Sequence, residues 1–415
     1  MTGQRQYEGS MHPRSLRDRR GIRRREFLES ISLFSAAAAF PFMSAFAQAE
    51  RPERYRAAII GDTGHGNYGH ELDLLFSDHP RIELAAVADL DEAGRNKAAE
   101  RAKAPKQYAE YQTMLEREKP ELVCVAPRWT DRHHAMIRAA LQSGAHVITE
   151  KPFTQTLAEA DDLLELAAKS KRKIAVAHQI RLAPGILHLN SALKNGLVGD
   201  LIELRAFGKQ DSRAGGEDML VLGVHLFDLM RFFAGDAQWC FARVLSKDHE
   251  IAKADAHKAT EGIGPVAGDD VHAQFGFNNG VSGTFTSTAK LRQMVGQWGL
   301  ELVGSKGAVR ILADVFPRIL MMRPTAWTDK GRSDQWKPID GDPTVNATAA
   351  ERAFGPANRR VLNDWLQAIE LDREPACSGR AGMKAVEMVM AVYQSALSRA
   401  RVTLPLANRD HPLAA

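Results

Sequence analysis

Apolar positions in the first half of the chain fall into short runs separated by helical stretches. Arg56–Ile60, Ile82–Ala88, Leu122–Ala126, His146–Thr149 and Ile174–Ala177 each read as a strand. The run Leu122-Val123-Cys124-Val125-Ala126 is continuous, as a parallel strand buried on both faces requires. Glu71–Ser77, Glu92–Lys103, Tyr108–Glu118, His133–Ser143 and Asp161–Lys169 read as helices between them, and Gly144 suits the C′ position of the fourth. This alternation predicts a doubly wound parallel sheet. From about Leu201 the pattern changes. Leu201–Phe207 alternates like a strand, Gly216–Ala234 carries Leu220, Val224, Phe227, Met230 and Phe233 in helical register, and Val271–Ser287, Leu300–Val303 and Ala308–Leu312 read as strands with turns such as Asn278-Asn279-Gly280. This half predicts an open, largely antiparallel sheet. Trp327–Asn346 is polar and reads as a surface excursion. Two amphipathic helices close the chain, one with Val361, Leu362, Trp365, Leu366 and Ile369 on one face, the other with Val386, Val389, Val392, Tyr393 and Leu397. The fold class is therefore α/β, a doubly wound parallel sheet over 54–178 followed by an α+β domain over 179–405.

The first strand runs into Gly61-Asp62-Thr63-Gly64-His65-Gly66-Asn67-Tyr68-Gly69. Two G-x-G-x-x-G frames compete. Gly64-His65-Gly66-Asn67-Tyr68-Gly69 matches by letters but starts three residues past the strand. Gly61-x-Thr63-x-x-Gly66 starts where the strand stops, with Thr in the second glycine position, and is preferred. Such a turn lets backbone N–H groups approach a pyrophosphate, and a carboxylate ending the next strand takes ribose hydroxyls. Asp89 ends the second strand, and a carboxylate there disfavours a 2′-phosphate, so NAD is expected over NADP.

The sequence has 415 residues and a formal charge of +4. The first 47 residues hold eight of the 55 basic side chains, all arginine, and four of the 51 acidic ones, so the remainder is formally neutral and suggests no nucleic-acid surface. This leader contains Arg24-Arg25-Glu26-Phe27-Leu28, a weakly apolar run Ile31–Phe46, and cleavage candidates Ala45-Phe46-Ala47 and Ala47-Gln48-Ala49. It resembles a twin-arginine export signal. That implies a periplasmic protein exported folded, with a tightly held nucleotide captured beforehand. The three cysteines, Cys124, Cys240 and Cys377, have no metal spacing, and no metal is assigned.

In an α/β sheet, ligands bind beyond the carboxyl ends of the strands. Arg128, Trp129, Glu150, Lys151, His178 and Arg181 all follow strand ends. At Glu150-Lys151-Pro152 the chain resembles the glucose–fructose oxidoreductase / inositol dehydrogenase (Gfo/Idh/MocA) family. The residues that carry this are the glycine turn with Asp89, Ala145-His146-Val147-Ile148-Thr149-Glu150-Lys151-Pro152, Gly199-Asp200-Leu201-Ile202, and Gly223-Val224-His225-Leu226-Phe227-Asp228. The resemblance implies a Rossmann domain, a second domain whose sheet mediates dimers or tetramers, an NAD(P) cofactor, and a sugar, polyol or similar small hydroxylated substrate. It implies that Lys151 and His225 line the site at the nicotinamide and that Asp228 binds substrate hydroxyls. One position departs. The family usually carries Asp four residues before the histidine, and here that residue is Val221. Asp218, seven residues from His225, stands about 10 Å along a helix axis, too far to orient it.

Removing a hydride from a carbinol carbon requires loss of the hydroxyl proton, and a histidine beside a lysine suits that step. The candidate site is therefore Lys151 and His225 as catalytic groups, with Asp228, Arg181, His178, Asp218 and Arg213 as substrate contacts. Gly61, Thr63, Gly64, His65, Gly66, Asp89, Pro127, Trp129, Glu150 and Lys151 form the cofactor site. Three functions fit: an exported NAD-dependent oxidoreductase, a lyase or glycosidase using bound NAD for transient oxidation, and a sugar-binding protein without turnover.

Overall fold

The computed structural model describes residues 54–292, 298–322 and 336–414. The leader and its cleavage candidates lie outside them, as do residues 327–335 of the Trp327–Asn346 excursion. Six strands form the first sheet: β1 (Tyr55–Ile60), β2 (Ile82–Ala88), β3 (Gln107–Tyr108), β4 (Leu122–Val125), β5 (His146–Thr149) and β6 (Ile174–Val176). They are parallel, in the order β3-β2-β1-β4-β5-β6. The direction of winding reverses between β1 and β4, which opens a crevice beyond their carboxyl ends. The crossover helices are α1 (Glu92–Ala102), α2 (Tyr111–Glu118), α3 (His133–Gln142) and α4 (Leu157–Lys169). The last begins four residues before the expected Asp161, because Thr156 and Glu159 form a reciprocal capping box.

After α5 (Pro184–Lys194) comes a ten-stranded mixed sheet. It contains β7 (Leu201–Phe207), β8 (Ala237–Ser246) and β9 (His249–Glu250); β10 (His257–Lys258) and β11 (Pro265–Val266) form a separate small hairpin. The large sheet continues with β12 (Asp270–Phe277), β13 (Ser282–Thr288), β14 (Gly299–Gly304), β15 (Gly307–Leu312), β16 (Arg318–Met322), β17 (Lys337–Pro338) and β18 (Val402–Thr403). Only β7 and β13 pair in parallel. The expected Gly216–Ala234 helix is present as α6 (Gly216–Asp218), a π turn at Met219–Gly223, and α7 (Val224–Ala234). Strand β8 escaped the sequence reading because its inward side chains Cys240, Ala242 and Val244 are small or modest, while Phe241 and Arg243 point out. The closing helices are α8 (Phe354–Glu370) and α9 (Gly379–Ser398).

The expected Glu71–Ser77 helix is not an α-helix. A 3-10 segment covers Gly69–Leu74, and His70 (φ 47°) and Glu71 (φ 63°) are left-handed, a conformation that cannot propagate a right-handed helix. The β1–β2 crossover is consequently thin. Helix α8 covers that face instead: Val361, Leu362, Trp365 and Leu366 share one buried cluster with Ile59, Leu72, Phe76, Cys124 and Ile148. Trp365 is fully buried and its Nε1 donates to the Lys173 carbonyl at 3.3 Å. The far end of the chain thus completes the core of its beginning. Trp365→Ala should cost about 3–5 kcal/mol of stability, measured by urea denaturation, with hydrogen exchange accelerating in β1 and β4; an unchanged denaturation midpoint would contradict this packing role.

Candidate active site

The glycine turn folds on itself at the end of β1. Its His65 and Asn67 amides both donate to the Asp62 carbonyl at 2.9 Å, and the Gly64 amide donates to Asn67 Oδ1 at 2.9 Å. Gly64 (φ +82°) has open space where a side chain would be, which leaves this side of the turn uncovered. Gly66 is required for a different reason: a Cβ there would stand 2.6 Å from the Trp129 amide nitrogen. Asp89 closes the turn. Its carboxylate accepts from the Thr63 amide at 3.1 Å, from Thr63 Oγ1 at 2.7 Å and from the Asp91 amide at 3.0 Å. Thr63 in the second glycine position is explained by that bond, and Gly94 on α1 leaves room for it. Asp89 is 2 % exposed and these three donors take up most of its acceptor sites, while it still borders the crevice beyond β2. A cavity of about 110 Å³ between Asp62, Asp89, Leu90, Tyr111, Arg132 and Met136 lies beyond β1 and β2, where the adenosine end of a dinucleotide would go. Asp62 is paired there with Arg132 at 2.8 Å, and burial raises its carboxyl above the ordinary value against the pull of that arginine.

Beyond β4, the rings of His65 and Trp129 meet edge to face at 4.5 Å, and His65 Nε2 lies 2.6 Å from Asp131 Oδ2. Trp129 also packs against Gly262, whose carbonyl receives the Thr130 amide at 2.9 Å. It borders a groove of about 620 Å³ shared with His65, Gln155 and the 256–262 segment. The carbonyl of Pro127 lies 2.8 Å from His133 Nε2, and His133 Nδ1 lies 3.1 Å from the Phe153 carbonyl. This buried ring ties the loop after β4 to the loop after β5. Glu150, wholly buried, faces His70 Nδ1 and receives the Lys151 amide at 2.8 Å; burial raises its carboxyl but His70 and Lys151 hold it below the ordinary value.

Lys151, His178 and His225 converge beside this edge. Lys151 is 5 % exposed, and its Nζ donates to the Val221 carbonyl at 3.1 Å. Burial lowers its pKa, against the pull of Glu150 and Glu261. The His178 and His225 rings stand 5.3 Å apart, and Trp298 lies 6.3 Å from His225. Burial pushes His178 down to about 4 and, together with Lys151, pushes His225 well below 6.5. Both imidazoles are neutral at neutral pH. His178 Nδ1, His225 Nδ1 and Trp298 Nε1 are buried without a hydrogen-bond partner among the described residues. Buried polar atoms are normally satisfied, so this corner has the chemistry of a place for hydroxyl groups.

The other expected substrate contacts are engaged elsewhere. Arg181 and Asp228 form a buried fork: Nε to Oδ2 at 2.8 Å and Nη2 to Oδ1 at 2.5 Å. Each matches the other's charge in this buried setting. Arg231, a possible partner for Asp228, pairs with Asp236 instead. Asp218 is wholly buried and accepts from Ser287 Oγ at 2.6 Å and from the Gln210 and Lys209 amides, so it staples β7 to α6 and β13. Arg213 is held by Asp211 and Glu261. The sequence reading missed His70 and Trp298. His70, directly after the glycine run, was the findable one; Trp298 is brought in only by the second sheet. Among the described residues no group of three or more His, Cys, Asp or Glu could hold a metal.

A lysine and two neutral imidazoles in a dry corner, next to an open glycine turn at the switch point of a parallel sheet, define a nucleotide-dependent oxidoreductase. The chain belongs to the Gfo/Idh/MocA oxidoreductase family. The description "Oxidoreductase family, NAD-binding Rossmann fold" matches residues 55–178, and "Oxidoreductase family, C-terminal alpha/beta domain" matches 208–404. Its cofactor is NAD. The chain is similar to D-apiose dehydrogenase from Paraburkholderia graminis, at 24% identity over 375 residues, 87% of this chain and 92% of that one. It is similar to a glycosyl hydrolase family 109 protein from Streptomyces coelicolor, at 29% identity over 155 residues, 35% of this chain and 32% of that one. In fold it is similar to levoglucosan dehydrogenase in complex with NADH and levoglucosan, with a TM-score of 0.67 and 17% identity, covering 85% of this chain and 100% of that one.

Two measurements follow from these pairs. Arg181→Met leaves Asp228 buried and unpaired, and should cost about 3–5 kcal/mol in urea denaturation; a cost under 1 kcal/mol would show the pair to be solvated. Histidines in the unfolded chain titrate near 6.5, whereas His146 and His178 resist protonation until about pH 4. Between those values the unfolded state binds more protons, so stability falls as pH falls. Each should contribute about 2 kcal/mol of loss between pH 7 and pH 5. His146→Gln should flatten the slope, and an unaltered slope would refute the assignment.

Proposed function

We propose that the protein is an exported NAD-dependent dehydrogenase of a sugar, polyol or related hydroxylated small molecule. The observation that carries this is the convergence of Lys151, His178 and His225 beside the glycine turn, with buried donors and acceptors left open. NAD, when bound, supplies the hydride acceptor. The uncovered side of the turn at Gly64 would face the pyrophosphate, and the Asp62–Met136 cavity would take the adenosine end. Lys151 and His225 flank the reacting carbinol: the amine polarises the hydroxyl, and the neutral imidazole orients it by hydrogen bond. The D-apiose and levoglucosan dehydrogenases act on small carbohydrates by name, which supports this substrate class.

The twin-arginine pattern at Arg24-Arg25-Glu26-Phe27-Leu28 supports export to the periplasm with NAD already bound. The large sheet has helices α7 and α9 against one side, and its other side, bearing the exposed Phe241, supports a homodimer or tetramer. A second reading, redox-neutral cleavage through transient oxidation, has the family 109 similarity in its favour.

Lys151→Met should abolish turnover on a sugar panel while the protein still carries NAD, read by mass spectrometry of released nucleotide. Retained turnover would remove Lys151 from the mechanism. Product formation in the parent protein without net NADH would favour the second reading.

A further inference from the structure

The site helix changes its winding where it passes Lys151. Met219–Gly223 is a π turn between α6 and α7. Its i→i+5 bonding widens the helix, and such turns are frequent at functional sites. Gly223 lets the turn lie close to β13, since a Cβ there would come to 3.1 Å from the Phe285 ring. From this turn the Val221 carbonyl oxygen receives Lys151 Nζ at 3.1 Å. Glu150, the adjoining carboxylate, is already taken by His70 and by the Lys151 amide. No comparable bond fixes the imidazoles, whose Nδ1 atoms both lack a partner among the described residues.

We propose that the π turn is a positioning device for the lysine: Val221, through its main-chain oxygen, holds Lys151 Nζ so that this amine, rather than either imidazole, receives the substrate's hydroxyl proton. The inference rests on the dehydrogenase reading above. An amide oxygen orients an amine without the full charge stabilisation a carboxylate gives, and dry surroundings favour the free base. The charged groups acting on Lys151 are Glu150, Glu261, Arg213 and Arg128, with His178 and His225 facing it from the other side. In the step, the O–H proton passes to the Nζ lone pair and gives an ammonium. Bound NAD would supply the acceptor for the hydride, which carries away the C–H electron pair and leaves the carbinol carbon as a carbonyl. Lys151 holds the hydroxyl proton as an ammonium and then returns it to water.

The test is Val221→Asp, which places a carboxylate one helical turn before His225 and beside the amine. Two readouts apply: the pH profile of kcat/KM on the best sugar, and nitrogen-15 NMR titration of lysine amines in the NAD-loaded protein, with the Lys151 signal assigned by its loss in Lys151→Met. Both should show this ionisation moved at least one pH unit to the alkaline side. Should the new carboxylate unfold the protein, a second variant replaces Leu222 by its α-hydroxy acid, converting the Val221 carbonyl to a weaker ester acceptor. This should lower kcat/KM about tenfold, mainly through kcat. The same replacement at Val221, which weakens the Leu220 carbonyl instead, should cost less. An unmoved ionisation in Val221→Asp, or equal losses in the two ester variants, overturns the proposal. If no substrate turns over in the parent protein, the dehydrogenase reading fails, and the NMR titration still decides whether Val221 governs Lys151.

Discussion

The active corner depends on one constraint: charge placed in a dry crevice must be matched. Removing an ion from water costs several kcal/mol unless partners compensate. Every buried carboxylate near the site has such partners. Glu150 has His70 and a backbone amide, Asp228 has Arg181, and Asp218 has Ser287 and two amides. What remains after this matching is a lysine held by a neutral carbonyl, two neutral imidazoles and an indole N–H. The pairing accounts for Arg181, Asp228, Asp218 and Arg213 within the protein, and it sets apart the groups that have no such partner.

The same matching ties the two ends of the chain to one place. Helix α8 fills the face that the thin β1–β2 crossover leaves bare. Its Asn358, 3 % exposed, donates to the His70 carbonyl at 2.8 Å and accepts from Gln179 at 3.0 Å. His70 in turn faces Glu150, whose backbone neighbour is Lys151. A residue near the carboxyl end of the sequence thus steadies the turn after the glycine run and the loop after β6 together. The left-handed His70 and Glu71 belong to this arrangement: a regular helix from Gly69 would turn the His70 side chain and carbonyl elsewhere. A local departure from helical geometry persists where surrounding contacts over-determine it.

Much of the fold was legible because burial on both faces leaves a continuous apolar run and burial on one face leaves a period. Five of the six parallel strands, α3, α9 and the β12–β13 hairpin announce themselves in this way, whereas the two-residue β3, partly exposed and without an apolar run, reads as the start of the Tyr108–Glu118 helix. Strand β8 does not, since small inward residues such as Ala242 carry little hydrophobic contrast. The β1–β2 crossover misled for a different reason. Leu72, Leu75 and Phe76 are buried as a helix would bury them, but the burial is supplied by α8, almost three hundred residues away in sequence. Periodicity reports that a face is covered and says nothing of what covers it.

The site shows the same limit at the level of single residues. Lys151, His178 and His225 could be named because strand ends and a motif place them. Their roles could not, because role here follows from which acceptor each one meets. Asp89 is the sharpest case. Its position at the end of β2 is the one a ribose-binding acid takes, yet Thr63, sitting where a second glycine was expected, brings an amide and a hydroxyl to the same carboxylate. A glycine at 63 would supply the amide alone and leave the carboxylate with an acceptor site free. The threonine and the heavily engaged carboxylate are therefore one feature, and the uncovered position of the turn is Gly64, one step beyond the residue that closes the loop.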